Sequence, residues 1–124
     1  EDFSHKSNVT QRLGYTFYRS AFQVENNDEF REKVRGAIQN YQYARELWAK
    51  SDDPLKTARM LRCDAMATLI GYWLAEQVPQ KKRLLDECWK LTKDALEAFG
   101  AGGTRDFGKT FNELSVCVDL GYNF

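Results

Sequence analysis

A chain of 124 residues with 18 basic and 18 acidic side chains and a formal net charge of zero is sized for one domain, which at this length buries roughly two-thirds of its unfolded surface. The balance leaves no overall field to draw in nucleic acid or an anionic membrane, so neither is expected as a partner. The longest apolar stretch, Met66 to Ala75, is about half a membrane span, and EDFSHKSN lacks the charged-then-apolar order of a signal peptide, so a soluble, cytoplasmic chain is expected.

Helical periodicity runs nearly throughout, and no stretch alternates as a strand does. A first helix is predicted over roughly Val9 to Val24. In the second, Phe30, Val34, Ala37, Ile38, Tyr41, Ala44 and Trp48 recur at three- and four-residue steps on one stripe, with Asn27 or Asp28 to cap its start. SDDPLK then breaks the chain and restarts it: Asp53 accepts from free N–H groups and Pro54 suits a first helical turn. The third stripe is Ala58, Leu61, Ala65, Leu69, Tyr72 and Trp73, running to about Gln77. Pro79 opens a fourth helix with Leu85, Cys88, Trp89, Thr92, Ala95, Leu96 and Phe99 on its apolar side, and Gly100, Gly102 and Gly103 end it. A fifth begins near Thr104 or Asp106 and presents Phe107, Phe111, Leu114 and Val118.

The fold class is therefore all-α, and short connections between about five helices imply antiparallel hairpins. Trp48, Trp73 and Trp89 fall on apolar stripes and are expected in the core. Cys63, Cys88 and Cys117 contain no Cys-x-x-Cys pair and read as small apolar helix residues, and His5 reads as a solvated terminal residue. No metal site, cofactor or catalytic residue is predicted. Lys81 to Arg83 form a solvated first turn.

Residues 103–110, GTRDFGKT, fit the phosphate-loop pattern, in which Lys109 would meet the β and γ phosphates, Thr110 would hold magnesium, and Gly103 and Gly108 would let the backbone close round the anion. A phosphate loop works because a buried strand delivers it to a helix. Here a helix, DALEAF, precedes it, and Asp106 would set a negative charge beside the phosphates. Nucleotide binding is kept as an alternative, and a non-enzymatic chain is expected.

Internal repetition explains the segment better. Ala37, Tyr41, Ala44 and Trp48 map onto Cys88, Thr92, Ala95 and Phe99 at a shift of 51, and Ala58 to Tyr72 fall over Gly108 to Tyr122 at a shift of 50. Both of the latter stretches end in an aliphatic residue and Gly-Tyr. The fifth helix thus reads as the opening of a hairpin whose partner helix is not in this chain, which suggests a piece of a longer protein.

Leu13, Gly14 and Phe17, followed on the next helix by Ala37, Tyr41 and Ala44, resemble a tetratricopeptide repeat. Ala65 and Thr68 with Cys88, Thr92 and Ala95 echo the pattern, and Leu114, Ser115 and Val118 resemble a third start. The period of about 50 exceeds the family's roughly 34, which implies longer helices. The resemblance implies a right-handed solenoid fragment with hairpins over about 9–50 and 54–99 and an opening helix over about 105–120. It also implies a scaffold or sensing module whose first helices line a concave groove for a peptide. Carried onto this chain, the groove residues are Gln11, Tyr15, Tyr18 and Arg19, then Arg59, Arg62, Met66 and Leu69, then Lys109 and Asn112. Arginine and lysine donors beside tyrosine rings suit an acidic peptide. The apolar face of the fifth helix adds a second expectation, self-association into a homo-oligomer.

Overall fold

A computed structural model describes residues 2–100 and 104–121. All regular structure among them is helical: α1 Phe3–Ala21, α2 Asn27–Ala49, α3 Lys56–Gly71, α4 Val78–Phe99, α5 Thr104–Leu114 and α6 Val116–Gly121. Gly102, Gly103 and Tyr122, singled out in the sequence, lie outside the described residues.

Local chemistry fixes where each helix starts. Asp2 accepts from the His5 N–H at 3.0 Å, so α1 begins six residues before the predicted Val9. The periodicity is silent there because a hydroxyl stands on the inner stripe: Ser7 is fully buried and donates to the Phe3 carbonyl at 2.7 Å. Asn26 Oδ1 accepts from Asp28 and Glu29 N–H at 2.7 and 3.2 Å, and those two carboxylates complement the N-terminal dipole of α2. Asp53 accepts from Leu55 N–H at 2.8 Å, holding Pro54 in a turn just ahead of α3. Pro79 sits in the first turn of α4, where no intrahelical donor is lost, and Gly100 closes that helix at a φ of 53°, which favours glycine.

Besides its early start, α1 ends at Ala21 rather than near Val24, α2 is capped by Asn26 rather than Asn27 or Asp28, and two later boundaries also differ from the sequence expectation. α3 ends at Gly71 rather than near Gln77, because the ladder tightens into i to i+3 turns, with Trp73 N–H on the Ile70 carbonyl at 3.1 Å and Leu74 N–H on Gly71 at 3.0 Å. The last helix is interrupted at Ser115, whose carbonyl takes Val118 N–H at 3.0 Å and Asp119 N–H at 3.4 Å.

Each helix packs chiefly on its neighbours in sequence: α1 on α2, α2 on α3, α3 on α4, and α4 on both α5 and α6. Val34, Ala37, Tyr41, Ala44 and Trp48 of α2 and Cys63, Ala65, Met66, Leu69 and Ile70 of α3 form the middle of one core, which Leu85, Cys88, Leu114 and Cys117 extend. Burial of each large apolar side chain there contributes about 1.5–3 kcal/mol. Trp48 and Trp73 join or border this core as expected, whereas Trp89 is exposed, with the Lys93 ammonium 5.8 Å from its ring centre. It sits at the edge of the α4 stripe whose middle is Cys88, so periodicity placed it one position too far in. All three cysteines are buried and free, and His5 is exposed.

No helix among the described residues is long and apolar enough to cross a membrane, and no group of His, Cys, Asp and Glu among them has the makings of a metal site.

Candidate functional site

A cleft of about 500 Å³ opens where α1, α3 and α5 come together. α1 contributes Asn8, Gln11, Arg12, Tyr15 and Thr16, α2 contributes Tyr41, α3 contributes Arg59 and Arg62, and α5 contributes Asp106, Lys109 and Glu113. Four of these side chains are basic and two acidic, a local excess of two positive charges in a chain whose net charge is zero.

The helices hold these groups at defined depths. Tyr41 and Arg62 are the two buried residues of the lining, while Arg12, Tyr15 and Lys109 are exposed. Tyr41 is pinned from behind by α1, since Gly14 brings the two backbones close enough that a Cβ there would lie 3.0 Å from the Tyr41 ring. Burial, reinforced by the nearby Glu113 charge, pushes the Tyr41 phenol well above its ordinary pKa, so it stays protonated. Gln11 is fixed by two contacts, accepting from Trp48 Nε1 at 3.1 Å and from Cys63 Sγ at 3.4 Å.

Arg59 and Arg62 stand three apart on α3 and therefore on one face, and each meets a carboxylate of α5. Arg59 is half-buried and has several partners at once. Nη1 and Nη2 donate to Asp106 Oδ1 and Oδ2 at 3.3 and 3.4 Å, and the guanidinium lies 5.0 Å from the Trp48 ring and 5.9 Å from the Phe99 ring. Its Nε is 3.2 Å from Asp53 Oδ2, an ion pair whose angle leaves the N–H outside hydrogen-bond geometry. Arg62 is held differently: one nitrogen, Nη2, meets both oxygens of Glu113 at 2.7 Å, and its buried Nε has no hydrogen-bond partner among the described residues.

Of the ten groove residues expected from sequence, Gln11, Tyr15, Arg59, Arg62 and Lys109 line this one cleft. The other five do not. Tyr18 accepts from Trp73 Nε1 at 3.0 Å and its ring meets Phe22 edge-on. Arg19 reaches back one turn to the Tyr15 hydroxyl at 3.4 Å. Met66 and Leu69 are core residues, and Asn112 is exposed with its carbonyl accepting from Ser115 Oγ. The inner positions of α3 were placed a turn too far along: past Arg62 the helix turns its stripe into the core rather than toward α1 and α5. Missed altogether were Asn8, Arg12 and Thr16 of α1, Tyr41, which the repeat pattern read as packing, and the α5 carboxylates; Asp106 and Glu113, seven apart on one helical face, were the available signal for the last two.

The phosphate-loop residues have a different setting. Gly108, Lys109 and Thr110 lie inside α5, and Thr110 is fully buried. Comparison with family models, with curated proteins and with solved structures finds no match to this chain.

Proposed function

We propose that this chain is a non-enzymatic protein-interaction module that takes an acidic peptide segment in the cleft between α1, α3 and α5. The observation that carries the reading is the cleft's two-charge positive excess, made by Arg12, Arg59, Arg62 and Lys109 around the Tyr15 and Tyr41 rings. Arginine forks suit carboxylates, and tyrosine adds flat contact area at small entropic cost.

A stack of helical hairpins of tetratricopeptide type is the architecture this reading favours. Contacts along α1 and α2 run in opposite senses: Phe3 meets Lys50, Gln11 meets Trp48, Gly14 meets Tyr41 and Phe17 meets Gly36. Bridges from α1 to α3 and the turn that follows it, and from α3 to α5, then join residues at near-constant separations, 52 for Gln11–Cys63, 55 for Tyr18–Trp73, 47 for Arg59–Asp106 and 51 for Arg62–Glu113. That constancy is what a repeat of about fifty residues requires.

Panning a phage library of random dodecapeptides against the immobilised chain tests the function. Enrichment of Asp and Glu is expected, and its loss against a chain carrying Arg12→Ala and Lys109→Ala. Binders with no acidic bias, or a bias indifferent to those substitutions, would refute it. One observation favours a second reading, self-association: Phe107, Phe111 and Val118 are 40%, 47% and 38% exposed along the last two helices. Sedimentation equilibrium over a wide concentration range decides it, and a strict monomer removes it.

A further inference from the structure

The following rests on the cleft being a peptide site, and it concerns what the deepest part of that cleft recognises. Arg62 is only 6% exposed, yet its bonding capacity is poorly used. Both Glu113 oxygens converge on Nη2, Nε is buried without a partner, and Nη1 makes no hydrogen bond among the described residues. A carboxylate fits a guanidinium best with one oxygen on each of two nitrogens, so the Glu113 arrangement leaves a stronger one open. Tyr41, the other buried residue of the lining, is 2% exposed, and its hydroxyl makes no hydrogen bond among the described residues either. A phenol and an underused guanidinium thus face one cleft with donor capacity to spare, and Arg62 Nε, buried without an acceptor among the described residues, is costly unless a ligand completes it. Glu113, by contrast, keeps about a quarter of its side chain in solvent, at 24%, and so has somewhere to go.

We propose that Arg62 and Tyr41 form a subsite for an Asp or Glu side chain of an acidic peptide, and that Glu113 is a displaceable internal stand-in that competes with that ligand for Arg62. Asp106 does not share this role, because Arg59 is committed to Asp53, Asp106 and the two aromatic rings at once. Arg12 and Lys109, exposed at the opening and without an ion pair among the described residues, attract the peptide before it reaches the subsite. Displacement exchanges one carboxylate for another on Arg62, so binding by the unmodified chain is weak by construction and strengthens when the competitor is removed.

The probe is fluorescein-labelled hexaglutamate with an amidated C-terminus, so that only side-chain carboxylates are offered, and the readout is anisotropy with the full chain at low salt. Glu113→Gln preserves volume and weakens the hold on Arg62, leaving it one neutral amide oxygen in place of a carboxylate, and it is expected to bind the probe about tenfold more tightly than the parent. Glu25→Gln makes the same change of net charge away from the cleft and is expected to leave affinity close to the parent's. In the Glu113→Gln background, Arg62→Met is expected to abolish the gain, and Tyr41→Phe, which keeps the ring's packing, to reduce it severalfold. Should Arg62→Met fail to fold, as judged by circular dichroism, the Tyr41→Phe comparison carries the test. A Glu113→Gln chain that binds no tighter than Glu25→Gln, or a gain that survives loss of the Tyr41 hydroxyl and of Arg62, overturns the subsite. That result alongside acid-rich panned peptides would leave the cleft reading standing, whereas panned peptides without acidic bias would remove the cleft reading itself.

Discussion

Replacing Gly14 by alanine puts two opposed effects on one position, and the geometry decides between them. Alanine in a helix interior is favoured over glycine by about 1 kcal/mol. The new Cβ, however, would stand 3.0 and 3.1 Å from two carbons of the Tyr41 ring and 3.2 Å from the Asn40 Cβ. Ordinary carbon contacts lie at about 3.5–4.0 Å, so several tenths of an ångström must be found. The Tyr41 ring is 2% exposed and enclosed by the core, and the Asn40 Cβ is fixed to the α2 backbone, with Asn40 Nδ2 donating to the Gly36 carbonyl at 2.8 Å. Relief therefore means parting α1 from α2, a distortion of the kind that costs roughly 1–3 kcal/mol. The net expectation is destabilisation by about 1 kcal/mol. Gly36 supplies the internal control: a Cβ there would meet the Phe17 ring at 3.5 Å, ordinary contact, so Gly36→Ala is expected to stabilise by about 0.5–1 kcal/mol. Urea unfolding followed by circular dichroism reads both. With an m-value of about 2 kcal/mol/M the two midpoints should separate by close to 1 M, on opposite sides of the parent. A Gly14→Ala chain as stable as Gly36→Ala, at unchanged m, would show that α1 and α2 do not cross so closely. The placement of Tyr41 in the cleft would fall with it.

Thr110 is fully buried with a hydroxyl that has no partner among the described residues, so Thr110→Val is expected to raise stability by about 1 kcal/mol, and a loss in the same urea assay would mean the hydroxyl is in fact satisfied. Calorimetric titration with magnesium ATP is expected to give no binding heat, and heat that disappears in Lys109→Ala would bring the nucleotide alternative forward. Burial pushes the Cys63 thiol up to about 12 from 9.0. The folded pKa is the higher one, so the stability this thiol protects is whole below pH 9.0 and drains as pH rises from there toward about 12, because the unfolded chain ionises first. Unfolding midpoints measured from pH 8 upward should decline, and the decline should be shallower in Cys63→Ala; equal slopes would refute the assignment.

The helices were legible because their inner stripes are apolar at helical spacing, and α2 is the clearest case: Val34, Ala37, Tyr41, Ala44 and Trp48 are all buried as the pattern requires. Legibility failed where the inner stripe was not apolar. Ser7 on α1 hid that helix's first turns, and Arg62, expected as a groove donor, gave no sign in the sequence of being buried. The cleft itself was half visible. Arg59 and Arg62 could be assigned to one face of α3, but nothing local to ARMLR indicates that its acceptors lie 47 and 51 residues further on. The basic donors Arg59, Arg62 and Lys109 were expected there, but the net excess of two was not, since a count over a chain of net zero averages the cleft with everything outside it and Arg12, Asp106 and Glu113 had not been placed in it.

α5 shows why that averaging misleads, because its faces have different surroundings and its substitutions should not be pooled. Thr110 and Leu114 are buried against the rest of the fold, Asp106 and Glu113 turn to the arginines of α3, and Phe107 and Phe111 stand in solvent. On the reading proposed above, the cleft's two kinds of basic group separate in the same way. Arg12 and Lys109 are solvated, so their contribution is long-range attraction that salt screens over about 10 Å and that appears in the association rate. Arg62 acts only after Glu113 has moved, in a buried setting where screening is weak, and its contribution appears in how long the peptide stays. A salt series on the association and dissociation rates should therefore move the first strongly and the second little, and a cleft in which both rates followed salt alike would have no buried subsite at all.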